Sequence, residues 1–434
     1  MPSGFRSPFS SGNRFPRAGY GRLETVRPAL RTPGAGSFGG RRSLLARAAS
    51  RGSPVRSLDW VLNGAVLGLT VLSTLLIWSA TRPQLLQAGG DPQAFLKKQL
   101  LNVVIGLVLL GAVSMLDYRM LRAYAPIGYL LACVGLLAVL TPAGATINGA
   151  KSWIVIGAGF ELEPSEFAKV TLILVLALAL GGLRDGNEAP RGRDLALAIA
   201  VSLPALGLVL LQPALSVAIV MAVVILGMVV ISGTRLRWIT ALLLITVATA
   251  LVVWQLHLLK GYQIQRITSF VHPTADPSGS GYHASQALIT IGSGGMFGQG
   301  LFHGAQTAGQ FVPEQQTDFI FTVAGEELGF IGAIAIIALL GVVLARALRI
   351  AAHADSQFAV LIASGVTCWF AVQAFINIGM TVGIMPVSGL PLPFVSYGGT
   401  ATLANMIAIG LLQAVHRRHT IFKRSPAGYR PGRT

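Results

Sequence analysis

The chain has 434 residues, of which 53% are hydrophobic and 11% are charged, and its mean hydropathy is +0.67. This composition excludes an ordinary soluble domain, and the continuous apolar runs argue against a β-barrel, whose strands alternate in polarity. The net charge of +17 is concentrated at the chain ends and in short loops, a pattern that favours membrane topology over nucleic-acid binding. Cys133 and Cys368 are the only cysteines, and both lie in apolar runs, so no disulfide framework or zinc site is expected.

Residues 1–57 contain 11 arginines and a single acid, Glu24, among many Gly, Ser and Pro residues. Such a segment buries too little apolar surface to fold, so we predict a disordered, Arg-rich cytoplasmic arm. The arm either acts as a solvated tail that fixes topology or contacts anionic lipid headgroups.

Ten apolar runs follow, each long enough to cross about 30 Å of hydrocarbon. They predict an all-α, polytopic membrane domain over residues 58–417, followed by a basic cytoplasmic tail at 418–434. The predicted spans are 58–81, 98–116, 122–141, 165–183, 195–211, 214–232, 236–257, 317–345, 357–381 and 396–416.

Arginines fall in alternate loops, for example Arg119 and Arg122, Arg235 and Arg237, and Arg346 and Arg349. The positive-inside rule therefore predicts that both termini are cytoplasmic. The long polar segment 258–316, between the seventh and eighth spans, is then extracytoplasmic.

This loop is the expected site of chemistry, because long loops inside compact domains are usually functional. It contains Arg266, Asp276, His283 and Ser293. Asp276 precedes Pro277 and a Ser-Gly-Ser-Gly run, which favours a turn. Its carboxylate can act as a general base on a sugar hydroxyl or hold a divalent cation such as Mg²⁺ or Mn²⁺. The glycines of IGSGGMFGQG lack the phosphate-loop pattern and predict close backbone packing or a re-entrant turn instead.

Charged residues also occur inside or beside the spans. Glu166 and Lys169, three residues apart on one helix face, either pair to hold helices together or line a substrate cavity. Glu326 and Glu327 lie about two turns into the eighth span, where acids need water or a cation. Upstream, Lys151 and Trp153 place a cation and a ring in an outward loop, where they could bind a phosphate-bearing lipid.

The segments GAKSWI, EPSEFAK, DPSGSGYHASQ, FVPEQQTDFIFTVAGEELG and NIGMTVGIMPVSGLPLPFVSYGG resemble, in this order, the SEDS family, named for shape, elongation, division and sporulation. The similarity covers residues 57–418. The SLDW entry to the first span and Gln306 in a Gly-Ala-Gln segment resemble the elongation (RodA-like) branch more than the division (FtsW-like) branch.

The resemblance implies a peptidoglycan glycosyltransferase of the bacterial plasma membrane that polymerises lipid II for cell-wall elongation. It also implies a class B penicillin-binding protein, a transpeptidase, as partner. The family's essential loop aspartate falls on Asp276, and its paired acid and base fall on Glu166 and Lys169. Departures include Glu163, where the family usually has Gln, and Ala214 and Ser216, where it often has Asp and Gly.

Together these patterns predict Asp276 as the catalytic residue. They predict a substrate-binding role for Lys151, Trp153, Glu166, Lys169, Arg266, His283, Ser293 and Gln306. A divalent cation is possible at Asp276. Two other functions are compatible with the sequence: a lipid II flippase using the intramembrane charges, and a noncatalytic scaffold that activates a partner enzyme.

Overall fold

The computed structural model describes residues 57–147, 150–157, 160–181, 190–212, 214–256, 261–272 and 279–424. The arm at 1–56, Asp276 and the end of the tail at 425–434 lie outside these residues. The described chain is predominantly helical, which confirms the predicted fold class.

Ten long helices account for the ten predicted spans in the described part of the chain. They are α1 (Trp60–Gln87), α2 (Ala94–Met115), α3 (Tyr118–Leu140), α4 (Pro164–Gly181), α5 (Gly192–Leu211), α6 (Leu215–Ile231) and α7 (Leu236–Gln255), then α11 (Ile320–Ala352), α12 (Gln357–Thr381) and α13 (Gly399–Arg424). Eight of them are long and apolar enough to cross a membrane; α6 is shorter, and α13 is the tenth. The chain is therefore a multi-pass membrane protein.

The helices differ in how deeply they lie in the bundle. Among the eight helices long and apolar enough to cross a membrane, α4 and α12 are the most buried, while none of the apolar stretch of α7 is buried. The centre contains the fully buried rings of Trp369 and Phe370 beside Leu172 and Ile173. Tight contacts explain the small residues there: a Cβ on Gly365 would lie 2.8 Å from the Ile173 side chain.

A small antiparallel sheet, which hydropathy did not predict, joins α3 to α4. It is formed by β1 (Gly144–Ile147), β2 (Ala150–Gly157) and β3 (Phe160–Leu162), in the order β1-β2-β3. In its register Trp153 faces Ala145, and Val155 faces Glu161. The sheet carries two of the predicted site residues, Lys151 and Trp153.

The long segment 258–316 contains three helices: α8 (Gly261–Val271), α9 (Ser280–Ser293) and α10 (Ala305–Ala308). These helices, the sheet, the end of α1 and residues 382–398 lie at one end of the bundle, which we call the loop face. The predicted end of the eighth span also shifts, because α11 begins at Ile320 and continues to Ala352. At the other end of the chain, α13 extends to Arg424, into the predicted tail.

The glycines after α9 pack their backbone against α11. Helix α11 is kinked at Gly329, where φ is 68° and ψ is −167°. The kink leaves the carbonyls of Glu326 and Glu327 free to accept hydrogen bonds from the amides of Gln299 (2.9 Å) and Gly300 (3.0 Å). The glycine run is thus a site of close backbone approach, as its sequence predicted.

Candidate active site

A cavity of about 860 Å³ opens on the loop face. Its size lies within the range of about 300–1,000 Å³ that is typical of small-molecule sites. Charged, amide and aromatic side chains line it alongside apolar ones. Polar or aromatic residues of the lining include Lys98, Asn102, Trp153, Glu161, Glu163, Arg266, His283, Glu314, Asp318 and Tyr397.

Arg266, on α8, is held against the loop between α12 and α13. Its Nη1 donates a hydrogen bond to the Ser388 carbonyl over 3.1 Å. Gly389 brings Arg266 and Asp318 together, because a Cβ there would lie 3.5 Å from Asp318 Oδ2 and 3.7 Å from Arg266 Nη2. Burial and, to a lesser extent, the negative charge of Glu314 raise the pKa of Asp318 to about 6, against the opposing effect of the nearby Arg266 guanidinium. The cavity therefore has a fixed cation beside an acid that titrates near neutral pH.

Glu163 sits between β3 and α4, at the wall of the cavity. The Ser165 hydroxyl donates to its Oε1 over 2.7 Å. Burial raises the pKa of Glu163 to about 7, and the negative charge of Glu166 contributes in the same direction. A Gln here, the residue that the SEDS pattern usually has, would carry no such titration.

Glu166 and Lys169 lie beneath the cavity rather than in its lining. Lys169 Nζ is 2.8 Å from Glu166 Oε1, and both side chains are only 1% exposed. The ammonium also donates to Gln373 Oε1 over 3.0 Å and lies 4.7 Å from the centre of the Trp369 ring. Gln373 in turn donates to the Pro391 carbonyl over 2.7 Å. The pair thus connects α4 to α12 and supports the loop that forms one cavity wall.

The structure brings three of the eight predicted substrate-binding residues to the cavity lining: Trp153, Arg266 and His283. Lys151 turns to the end of α3 instead, where its Nζ donates to the Leu140 carbonyl over 3.2 Å. Asp276 lies outside the described residues. Gly279, three positions after it in the sequence, lines the cavity.

Ser293 and Gln306 lie near Glu326, away from the cavity. The Ser293 hydroxyl donates to the Thr290 carbonyl over 2.8 Å. The Gln306 amide donates to Glu326 Oε1 over 2.7 Å, and Thr307 donates to Oε2 through its amide and its hydroxyl. Glu326 therefore orders the segment around α10, and Gln306 contributes to that role through its backbone.

Several lining residues were not among the predicted ones: Lys98, Asn102, Glu161, Glu314, Asp318 and Tyr397. Two signals could have found some of them. Glu161 lies two positions before Glu163, the first residue of the EPSEFAK segment, and Glu314 and Asp318 belong to the FVPEQQTD run that leads into α11. No sequence pattern pointed to Lys98, because a lysine at the start of an apolar helix is typical of a residue at the membrane–water interface.

The described residues offer a weak fit to a divalent cation. Among them no three His, Cys, Asp or Glu side chains converge as ligands, and a protein site for Mg²⁺ uses one or two carboxylates with other oxygens. Arg266 beside Asp318 also lowers the attraction of that acid for a second cation.

Fold and cavity together define a polytopic helical membrane protein with a polar site at one end of its bundle. The family model described as cell cycle protein, of the FtsW, RodA and SpoVE type, matches residues 60–421. The chain belongs to this family, which confirms the resemblance drawn from its motifs.

Two relatives and one solved structure show how far the similarity extends. The peptidoglycan glycosyltransferase MrdB of Escherichia coli (strain K12) is 34% identical over 85% of this chain and 96% of its own length. The probable peptidoglycan glycosyltransferase FtsW of Trichlorobacter lovleyi is 36% identical over 82% of this chain and 92% of its own. A chain of a peptidoglycan synthase complex that coordinates polymerisation and crosslinking superposes with a TM-score of 0.68, at 31% identity over 83% of this chain and 98% of that one.

Proposed function

We propose that the chain is a peptidoglycan glycosyltransferase that polymerises lipid II into glycan strands. The observation that carries the proposal is the 860 Å³ cavity on the loop face, lined by Lys98 and Arg266 as well as by acids. Such a site suits a sugar carried on a lipid diphosphate, because the cations can neutralise phosphate charge while polar groups bind hydroxyls. The names of the two relatives support the same activity.

In the proposed reaction, Asp276 takes the proton from a hydroxyl of the acceptor sugar as the oxygen attacks the anomeric carbon of the donor. The bond from that carbon to the lipid diphosphate breaks, and the diphosphate leaves with the bonding electrons. Arg266 and Lys98 stabilise the charge that develops on the leaving group, which is the usual source of a large part of catalysis in such sites. Glu166 and Lys169 act from beneath, by holding the cavity wall in place.

We further propose that the loop face is extracytoplasmic in the bacterial plasma membrane, with both termini in the cytoplasm. The partner would be a class B penicillin-binding protein, in line with the synthase complex that this fold resembles. Sequence identity does not distinguish the elongation branch from the division branch, because it is 34% to MrdB and 36% to FtsW. The elongation role therefore rests on the SLDW motif and Gln306, and it predicts rounded rather than filamentous cells on depletion.

The test is a gel assay of polymer formation from lipid II by the purified chain with its transpeptidase partner. Asp276→Ala should lower the rate at least about a hundredfold, the contribution expected of a general base. Asp91→Ala removes an exposed acid outside the cavity and should leave the rate unchanged. Full activity in Asp276→Ala would show that the assigned base is wrong. Chelator added in a parallel arm decides whether a divalent cation takes part.

The flippase alternative needs intramembrane charges arranged along a path. Glu166 is paired with Lys169, Glu326 accepts hydrogen bonds from the α10 segment, and Glu327 accepts one from Ser79, so these charges take part in contacts between elements of the bundle. Headgroup translocation in liposomes without any polymer would favour the flippase over the polymerase.

A further inference from the structure

A second, smaller cavity of about 270 Å³ lies on the loop face, and its lining shares no residue with that of the first cavity. It is formed by the end of α1, the α10 segment and α11. The residues that shape it are Ser79, Arg82, Pro83, Leu86, Phe302 and Glu327. Its volume is below the range usual for drug-sized ligands, so it suits a compact headgroup.

Glu327 supplies an unsatisfied acceptor at this cavity. The side chain is only 1% exposed. Its Oε1 accepts a hydrogen bond from the Ser79 hydroxyl over 2.5 Å, whereas Oε2 has no hydrogen-bond partner among the residues that the structure describes. Its neighbour Glu326 differs, because both of its oxygens accept hydrogen bonds from the α10 segment. Leaving a buried carboxylate oxygen without a donor is costly, so a ligand that brings a hydrogen-bond donor to Glu327 would be stabilised there.

Arg82 supplies the opposite charge at the rim. Its side chain is exposed, and its guanidinium lies 5.5 Å from the centre of the Phe302 ring. The cavity thus has an anion inside and a cation at its edge. A complementary ligand carries a cationic hydrogen-bond donor joined by a short link to an anion.

The position along α1 identifies the surroundings of the cavity. At 1.5 Å per residue, Ser79 lies about 28 Å and Leu86 about 39 Å along the helix from Trp60. Because the hydrocarbon layer is about 30 Å thick, this stretch runs from its edge into the headgroup layer. Leu86 is also 54% exposed, so an apolar side chain is available beside the entrance.

We propose that this cavity binds the headgroup of an aminophospholipid such as phosphatidylethanolamine. The ammonium group donates to Glu327 Oε2, the phosphate pairs with Arg82, and the acyl chains follow Leu86 and Pro83 into the bilayer. Phosphatidylglycerol lacks the cation, and phosphatidylcholine has a cation without N–H donors, so neither satisfies Oε2.

Native mass spectrometry of the purified full chain, titrated with these three lipids carrying identical acyl chains, tests the proposal. Phosphatidylethanolamine should bind roughly tenfold more tightly than either competitor, as expected for one charge-assisted hydrogen bond. Glu327→Gln should abolish the preference, whereas Arg82→Gln, which removes the partner of the phosphate common to all three lipids, should weaken the binding of all three. Asp91→Asn and Lys97→Gln, which remove an exposed acid and an exposed cation elsewhere on the loop face, should keep it.

Equal binding of the three lipids by the parent chain would overturn the proposal, and so would an unchanged preference in Glu327→Gln. Should Glu327→Gln fail to fold, Arg82→Gln still decides, because undiminished binding of phosphatidylethanolamine by this exposed variant would overturn the proposal. The readout is lipid preference rather than polymer, so the outcome does not depend on the proposed glycosyltransferase activity.

Discussion

Individual acidic side chains determine how the charge of the larger cavity changes with pH. Two of them, Glu163 and Asp318, titrate in the physiological range. Glu163 has a pKa of about 7 and Asp318 a pKa of about 6, in both cases chiefly because burial disfavours the charged form. Raising the pH from 5 to 8 therefore adds negative charge to a site whose fixed cations are Lys98 and Arg266. An anionic substrate, such as the lipid diphosphate proposed here, would meet growing repulsion over that range.

The same titration makes stability depend on pH. Because folding raises the pKa of Glu163 from 4.5 to about 7, the folded state retains a proton that the unfolded chain releases, and stability falls as pH rises through this window. The substitution Glu163→Gln removes this loss of stability at high pH. We expect the free energy of unfolding of the variant to equal that of the parent near pH 4.5 and to exceed it at pH 8 by about 1–3 kcal/mol. The difference is followed as a shift in melting temperature in detergent.

Glu161→Gln is the matched control, since it removes an exposed carboxylate two positions away on the same cavity wall. A stability difference between parent and Glu163→Gln that is equal at both pH values would contradict the assigned titration.

At the scale of elements, the junction between α11 and the glycine run depends on backbone contact. Gly298 has φ of +79°, and a Cβ on it would lie 2.2 Å from the Glu327 carbonyl oxygen. Gly298→Ala should therefore cost at least about 2 kcal/mol, from the strained φ and the displaced α11 kink. Differential scanning fluorimetry in detergent measures this loss.

Gly292→Ala provides the comparison within the same loop. This glycine is in α9, and nothing lies within 4 Å of a Cβ placed there, so the substitution should be neutral or slightly stabilising. Equal losses of stability in the two variants would show that the close backbone contact at Gly298 does not stabilise the junction.

Hydropathy predicted the elements well because burial in lipid requires long apolar runs, but their ends depend on contacts distant in sequence. Helix α1 continues past the predicted end at 81, through Pro83, to Gln87. There the Ala80 carbonyl accepts hydrogen bonds from the side-chain amides of Gln310 and Gln315. A local pattern contains no information about partners some 230 residues away.

The site was predictable to the extent that its residues occur in motifs. Trp153, Arg266 and His283 were predicted and line the cavity. Lys169 belongs to a motif too, yet its ammonium is turned toward Gln373 and Trp369 beneath the cavity. Lys98 lines the cavity without any motif. Side-chain direction within a bundle is set by packing among helices, which spacing along one helix does not specify.

At the scale of the whole molecule, residues near the start and near the finish of the described chain contact each other on the side of the bundle opposite the loop face. Asp59 caps α1 by accepting from the amides of Val61 and Leu62, and its Oδ2 pairs with Arg346 of α11 over 2.6 Å. Gln413 of α13 bonds both the amide and the carbonyl of Asp59. The SLDW segment, which first served as a mark of family resemblance, thus has a structural role in joining α1, α11 and α13.

The orientation of this bundle decides which compartment the cavity faces, and the arginine pattern predicts that the loop face is outside. Asp91, in the turn between α1 and α2, and Asp355, in the turn between α11 and α12, are exposed at opposite ends. Cys133 and Cys368 are half-buried in helices, so their replacement by alanine gives a background without native thiols. In that background a membrane-impermeant maleimide added to intact cells should label Asp91→Cys and leave Asp355→Cys unlabelled until the cells are opened. The reverse pattern would place the cavity in the cytoplasm, where a polymerase acting on the cell wall would have no access to its product, and it would therefore also rule out the function proposed here.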